Sequence, residues 1–421
     1  MKSEQQAVRV WINGSVYSPA DPFATAILLD GATVAWVGSD DAARAMAGAD
    51  VTPGDLRAAV VTPAFVAHHR VVGSGQLPRA EHGYGAVGLV SSDPDALDAA
   101  TREVRADGLH ALPILVRRAR DTDELDPSAL PSPALGFDAA AFGDPAALAD
   151  AAREHLVVCT RVGLQAVLVL PPSGDGASES GSFGDDPSGS RLSGNELSGS
   201  DASGNDRPED DPDKTAGEDE ASTEDASSSS GDPRVDALLD AADAAAQELG
   251  GRAFHARGHR IVGVEQLSEA QCERLADLAI TVSCVPGRAP LRDLSRAGVP
   301  VTLMTDDPNP WTAVKAALEA PDEHLRTSAR AAFLALTRGV WRAHRGGTPL
   351  AGQLAPGAEA TLAVWDAESV MVQQAQGTGA SWSTDPRART PVLPALDDSR
   401  LPRCEATVVA GTLVSGAEPR P

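Results

Sequence analysis

The chain has 421 residues, 42% of them hydrophobic, which is enough for a sizeable core and for two or three domains or one large barrel with a satellite. Its 60 acidic residues against 35 basic ones leave a net charge of −25, a surface that repels phosphate and so excludes nucleic acid and anionic membranes as expected partners. Four scattered cysteines (Cys159, Cys272, Cys284, Cys404) without a CxxC pair exclude a disulfide framework or a zinc ribbon. The polar first ten residues carry no signal-peptide core, and no apolar run approaches the roughly 20 residues of a membrane helix, so the expected location is the cytoplasm.

Residues 8–16 form a short β-rich run, and 26–37 hold two apolar runs around Asp30-Gly31, a hairpin turn signal. The first 60 residues are thus mostly strands. From there strand candidates at 60–66, 86–90, 111–116, 166–170, 261–264, 280–284 and 299–304 alternate with helical stretches at 93–105, 145–155, 234–249, 269–278, 311–319 and 325–344. That alternation argues a parallel sheet with helices outside it, doubly wound or closed into a barrel. Residues 172–232 interrupt the rhythm with 17 acidic against three basic residues, 15 serines and ten glycines. So little apolar surface cannot offset the entropy of ordering, and a disordered low-complexity insertion is expected there. The C-terminus returns to strands at 361–365 and in a hairpin over 406–414 that turns at Ala410-Gly411, while 367–403 reads as loop.

Several of these segments carry recognisable motifs. Residues 59–66, Ala-Val-Val-Thr-Pro-Ala-Phe-Val, resemble the amidohydrolase superfamily's "v-v-x-P-G-F-v-D-x-H-x-H", where the first barrel strand runs into its metal ligands. Residues 26–38 resemble the family's N-terminal hairpin ending in "I-x-x-V-G". His259-Arg260-Ile261 resembles the "H-R-I-E-H" strand of the YtcJ-like (amidohydrolase 3) branch, 301–308 the "v-x-x-G-S-D-x-P" of the eighth strand, and 352–366 the "G-x-L-x-P-G-x-x-A-D-l-v-v-w-D" near the end. The resemblance spans nearly everything outside the insertion. It implies a (β/α)8 barrel over 62–345 with a small β-sandwich built from both ends, 1–61 and 346–421. Without the 61-residue insertion the barrel span is 223 residues, below the roughly 250 typical of such barrels, so a shortened element is expected.

The resemblance also implies chemistry: hydrolysis of carbon–nitrogen bonds other than peptide bonds by a water that one or two divalent metals acidify. The family ligands are HxH on strand one, a carboxylated lysine or acid on strand four, histidines on strands five and six, and an aspartate on strand eight. Here the strand-one aspartate becomes Ala67, the first histidine is His69 and the second falls on Val71. No lysine is available for strand four, since the chain has only Lys2, Lys214 and Lys315. Strand five ends in Leu170-Pro171-Pro172, and strand six has Val262 and Gly263 in place of "E-H". Strand eight keeps Asp306. His69 and Asp306 are therefore the candidate metal ligands and Asp306 the candidate catalytic acid–base, a set that implies at most one weakly held zinc-like divalent ion. The blander readings are a loop histidine for His69 and a helix N-cap for Asp306 ahead of Trp311. The functional expectation is a metal-dependent hydrolase with impaired or lost metal binding, acting on a small molecule. The alternative is an inactive amidohydrolase-like barrel kept for binding or assembly, and self-association into a homo-oligomer fits either.

Three further signals weigh less. His255 and His259 have i, i+4 spacing, but Gly258 disfavours a helix and loop histidines are expected. His68 and His69 should point to opposite sides of an extended strand. Residues 83–88 match GxGxxG without the strand-before, helix-after context of a dinucleotide site, and read as a lead-in to the second barrel strand.

Overall fold

The computed structural model describes residues 8–48, 51–122, 125–170, 231–305, 307–344, 348–368, 370–376, 379–383, 391–396 and 400–421. All but the last two residues of the segment 172–232 lie outside this set, and so does Asp306.

Eight parallel strands make one sheet: β1 Phe65–Val71, β2 Tyr84–Ser91, β3 His110–Val116, β4 Ala134–Asp138, β5 Gln165–Val169, β6 Arg260–Val262, β7 Thr281–Cys284 and β8 Val301–Leu303. They pair in chain order from β1 to β8. Their near-continuous apolar runs reflect burial on both faces, under helices outside and in the lumen inside. Phe65, Ala67, Val87 and Leu89 join the core beneath the helices. Val90, Ile114, Val116, Val167 and Val262 cluster in the lumen. No ladder joins β8 to β1 among the described residues. There the Val66 N–H donates to Leu336 O at 2.9 Å, so the link between the last two helices covers the gap.

Six of these strands match expected runs, the run expected at 60–66 splits between a separate strand Val60–Pro63 and the start of β1, and β4, five residues between irregular segments, was not expected. The expected shortening is in the connections. β1 to β2 and β3 to β4 carry only the single turns Ala80–His82 and Pro127–Ala129 among the described residues. The stretch 325–344, expected as one helix, is two, Ala329–Ala335 and Arg338–Ala343. Between them Thr337 leaves helical geometry (φ −126°, ψ −102°) while its hydroxyl donates to Phe333 O at 2.8 Å.

The chain ends build two further sheets. One orders Thr33–Gly38, Ala26–Asp30, Arg9–Ile12 and Gly54–Asp55. The other orders Ser15–Val16, Val60–Pro63, Leu362–Asp366, Arg403–Val409 and Thr412–Gly416, with an N-terminal strand paired antiparallel to a C-terminal one. Ile27, Leu29 and Val34 of the first pack against Val61, Leu362 and Val408 of the second, so the two faces share one core. The 367–403 loop reading is corrected in part. Val370–Gln376 pairs with Gly379–Ser383 and with Leu393–Pro394.

One helix-to-barrel contact has a measurable pH consequence. His155, on the helix Pro145–Val162, is fully buried, and its Nδ1 accepts from the Ala119 N–H at 3.0 Å. Nε2 lies 3.3 Å from Leu135 O, to which it donates. Burial pushes its pKa from 6.5 down to about 4. An unfolded chain takes up this proton near 6.5 and the folded chain only near 4, so the stability tied to the neutral ring is complete above 6.5 and lost as pH falls through that window. The full loss is about 3 kcal/mol. Urea unfolding at pH 7, 5.5 and 4.5 should show a flatter decline in His155→Asn than in the wild type. Parallel slopes would rule His155 out as the titrating group.

Candidate functional site

Strand periodicity aims Val66, His68, Gly88, Arg260, Ser283 and Thr302 into the lumen. Its N-terminal end is plugged. Val340 and Trp341 of the helix Arg338–Ala343 pack on Val66, Ala86 and Leu112. Gln165 Nε2 donates to Ala343 O at 2.8 Å, which anchors the end of that helix beneath β5. The chain then carries His344 in beside His68, ring centroids 5.6 Å apart.

At mid-height the lumen is polar. His68 Nε2 bonds Ser283 Oγ at 3.0 Å, and Ser283 Oγ bonds Thr302 Oγ1 at 2.7 Å. Arg260 Nη1 donates to the same Nε2 at 3.5 Å. A guanidinium only donates, so Nε2 accepts and the ring proton sits on Nδ1. Arg260 is fully buried, and burial pushes its pKa down to about 9.

The expectation that His68 and His69 point to opposite sides is corrected. The β1–β2 register shifts between Ala67 and Arg70, and His69 has a left-handed φ of 57°. Two residues therefore stand opposite Gly88, and this bulge turns both imidazoles toward one place, ring centroids 6.2 Å apart. Burial, then the Arg260 charge, holds the pKa of His69 down to about 3. The same two causes, in that order, hold His68 and His344 well below the ordinary imidazole value. All three rings are neutral at pH 7.

The remaining candidates go elsewhere. His259 is structural, its Nδ1 accepting from the Ala166 N–H at 3.0 Å and its Nε2 bonding Thr160 Oγ1 at 3.0 Å. His255, expected in a loop, ends the short helix Gly251–His255. Gly83 to Gly88 does lead into β2 as expected. Sequence reasoning missed Arg260 and His344 as lumen residues. It also missed Asp138, which ends β4 on the lumen side and accepts from the Ala140 N–H at 2.9 Å. An acid at the end of strand four is part of the family pattern, and recognising β4 would have found it.

The strand-eight candidate ligand, Asp306, lies outside the described residues. Among the described residues no three His, Cys, Asp or Glu side chains are placed to hold a metal. His68 spends its free lone pair on Ser283 and Arg260. The guanidinium would repel a second cation at such range. The strand-six position of the family histidine is Gly263, at φ 85°, where a Cβ would lie 2.6 Å from Leu170 O. Above the polar layer, Val90, Val116, Val169, Val262 and Met304 ring the mouth with apolar side chains.

Residues 226–415 match the family model described as "Amidohydrolase family". No curated protein matches the chain. Among solved structures it is similar to a triazine hydrolase from Arthrobacter aurescens, at 14% identity over 97% of this chain and 95% of that one, TM-score 0.55. The N-isopropylammelide isopropylaminohydrolase of Burkholderia multivorans matches at 16% identity over 97% and 98%, TM-score 0.55. A zinc complex of an atrazine chlorohydrolase from Arthrobacter aurescens matches at 15% over 98% and 96%, TM-score 0.55. At such identities the likeness establishes a shared fold. The family match covers residues 226–415, less than half of the chain, and adds a likeness of its C-terminal part to that family.

Proposed function

We propose that this barrel is an amidohydrolase fold kept for binding a small molecule, without metal-dependent hydrolysis. The observation that carries the reading is Gly263. At Gly263, where the resemblance puts the strand-six histidine, a Cβ would lie 2.6 Å from Leu170 O, so a side chain there would have to push backbone aside. The buried guanidinium of Arg260 beside His68 points the same way. The reading is tested by metal analysis of protein purified without chelator or metal-binding tag. Well under one divalent ion per chain is expected, with no hydrolysis of simple amides or cyclic ureides. Gly263→His, which looks like a repair of the family motif, should lower stability by about 1–3 kcal/mol through its left-handed backbone and the clash, and should recruit no metal.

The competing reading is a working hydrolase, favoured by the family match over residues 226–415. It assigns His69 and Asp306 as metal ligands and Asp306 as the proton shuttle. One zinc per chain, lost in His69→Ala, would establish that reading and overturn the first.

A further inference from the structure

Arg260 carries a buried positive charge with no described counter-charge, and how it fails to be satisfied is specific. Nη1 reaches His68, while Nε and Nη2 have no hydrogen-bond partner and no solvent. Nε–H and Nη2–H lie along one edge of the guanidinium. They form the two-pronged fork that binds both oxygens of a carboxylate or two oxygens of a phosphoryl group. Within reach of the Arg260 charge, His68 Nδ1, His69 Nδ1 and Nε2, and His344 Nε2 are also enclosed and unpartnered. A neutral imidazole presents an N–H, so each ring can turn a donor toward an acceptor placed among them. No described acid enters this group, and burial alone accounts for the lowered pKa of Arg260.

Leaving so many buried donors unmet is costly, and native proteins satisfy such groups with protein, water or ligand. A ligand that would satisfy them together is small, carries at least two acceptor oxygens and is negatively charged. The path to it is from the C-terminal ends of the strands. There His69, Val169, Gly263, Met304 and Thr305 are partly exposed, whereas Trp341 and Val340 close the opposite end.

We propose that the lumen of this barrel binds a small oxyanion on the Nε–Nη2 edge of Arg260, with His68, His69 and His344 as further donors. This deepens the proposed function and rests on it, because a lumen that houses a free guanidinium and an anion is not one that houses a dication.

The test is the melting of the full chain at constant ionic strength in chloride, then with inorganic phosphate or acetate at about 10 mM, where a ligand of about 1 mM affinity already stabilises measurably. A rise of several degrees over chloride with phosphate or acetate is expected. Phosphate alone would assign a phosphoryl ligand and acetate alone a carboxylate. Arg260→Met should melt at or above the wild type in chloride, since an unpaired buried charge is gone, and should show no anion-dependent rise. Arg260→Lys keeps a charge but not the fork, so binding at least about tenfold weaker is expected, and it carries the comparison should the methionine variant fail to fold.

The proposal is overturned if neither anion raises the wild-type melting temperature or if the variants respond like the wild type. It is also overturned if Arg260→Met melts well below the wild type in chloride, because the guanidinium would then be neutralised within the chain. Metal content separates the two readings. No anion response in metal-free protein defeats the oxyanion site alone, and stoichiometric zinc defeats the proposed function with it.

Discussion

A chain cut after Gly347 should aggregate rather than fold. The cut removes Leu362–Asp366, which pairs with Val60–Pro63 on one side and Arg403–Val409 on the other. What remains of the five-stranded sheet is Ser15–Val16 beside Val60–Pro63, an open edge of two short strands. The facing sheet would present Ile27, Leu29 and Val34, each almost wholly buried in the intact protein, to water. At about 25 cal/mol per Å² of apolar surface, three such side chains lose several kcal/mol of burial, comparable with the whole stability of a typical domain. The cut also removes Trp365 from beneath the barrel. Size-exclusion chromatography and a thermal melt decide the matter, since a soluble truncation with a cooperative transition would refute a core shared between the two chain ends.

The second large effect is expected from Trp365→Ala, a loss of about 4 kcal/mol. Trp365 is 1% exposed and sits edge-on to Phe65 and Trp311, with centroids at 5.7 and 5.5 Å. Its Nε1–H donates to Thr62 Oγ1 at 2.9 Å. The backbone is shaped around the indole. Gly83 holds a left-handed φ of 85°, and a Cβ there would lie 2.2 Å from Trp365 Cη2. The ring joins sandwich to barrel, for it belongs to a sandwich strand while Phe65 begins β1. Trp365→Phe should cost about half as much, because it keeps most of the edge contacts and Thr62 still bonds Pro63 O at 2.9 Å. Urea titration of both variants separates volume from hydrogen bond, and equal losses would mean that the indole N–H, not the packing, dominates.

The barrel was largely readable because each of its long strands is buried on two faces and so spells an apolar run. β4 escaped because Ala-Leu-Gly-Phe-Asp is short and follows a connection without a helix. The strands Val370–Gln376 and Gly379–Ser383 escaped for the opposite reason, since their many polar residues carry no apolar alternation to mark them. The hairpins at Asp30-Gly31 and Ala410-Gly411 were readable because turn chemistry is local.

The candidate site was readable only by subtraction. Aligned against the family motif, Val71, Leu170 and Gly263 stand where the resemblance puts ligands. That alignment could not show what surrounds those positions. His68 lies 192 residues from Arg260 and 215 from Ser283 in the chain, so no spacing announces their contact. His69 joins them only because a bulge breaks the alternation a strand would impose, and bulges depend on the neighbouring strand rather than on the residue itself. Sequence by itself determined the mixed α/β class and the strands at both chain ends, since periodicity and turn chemistry are properties of the chain. Only the tertiary structure decided that the lumen holds a buried guanidinium among three neutral imidazoles, because that arrangement is made by barrel closure, which brings distant strands together and removes the water between them.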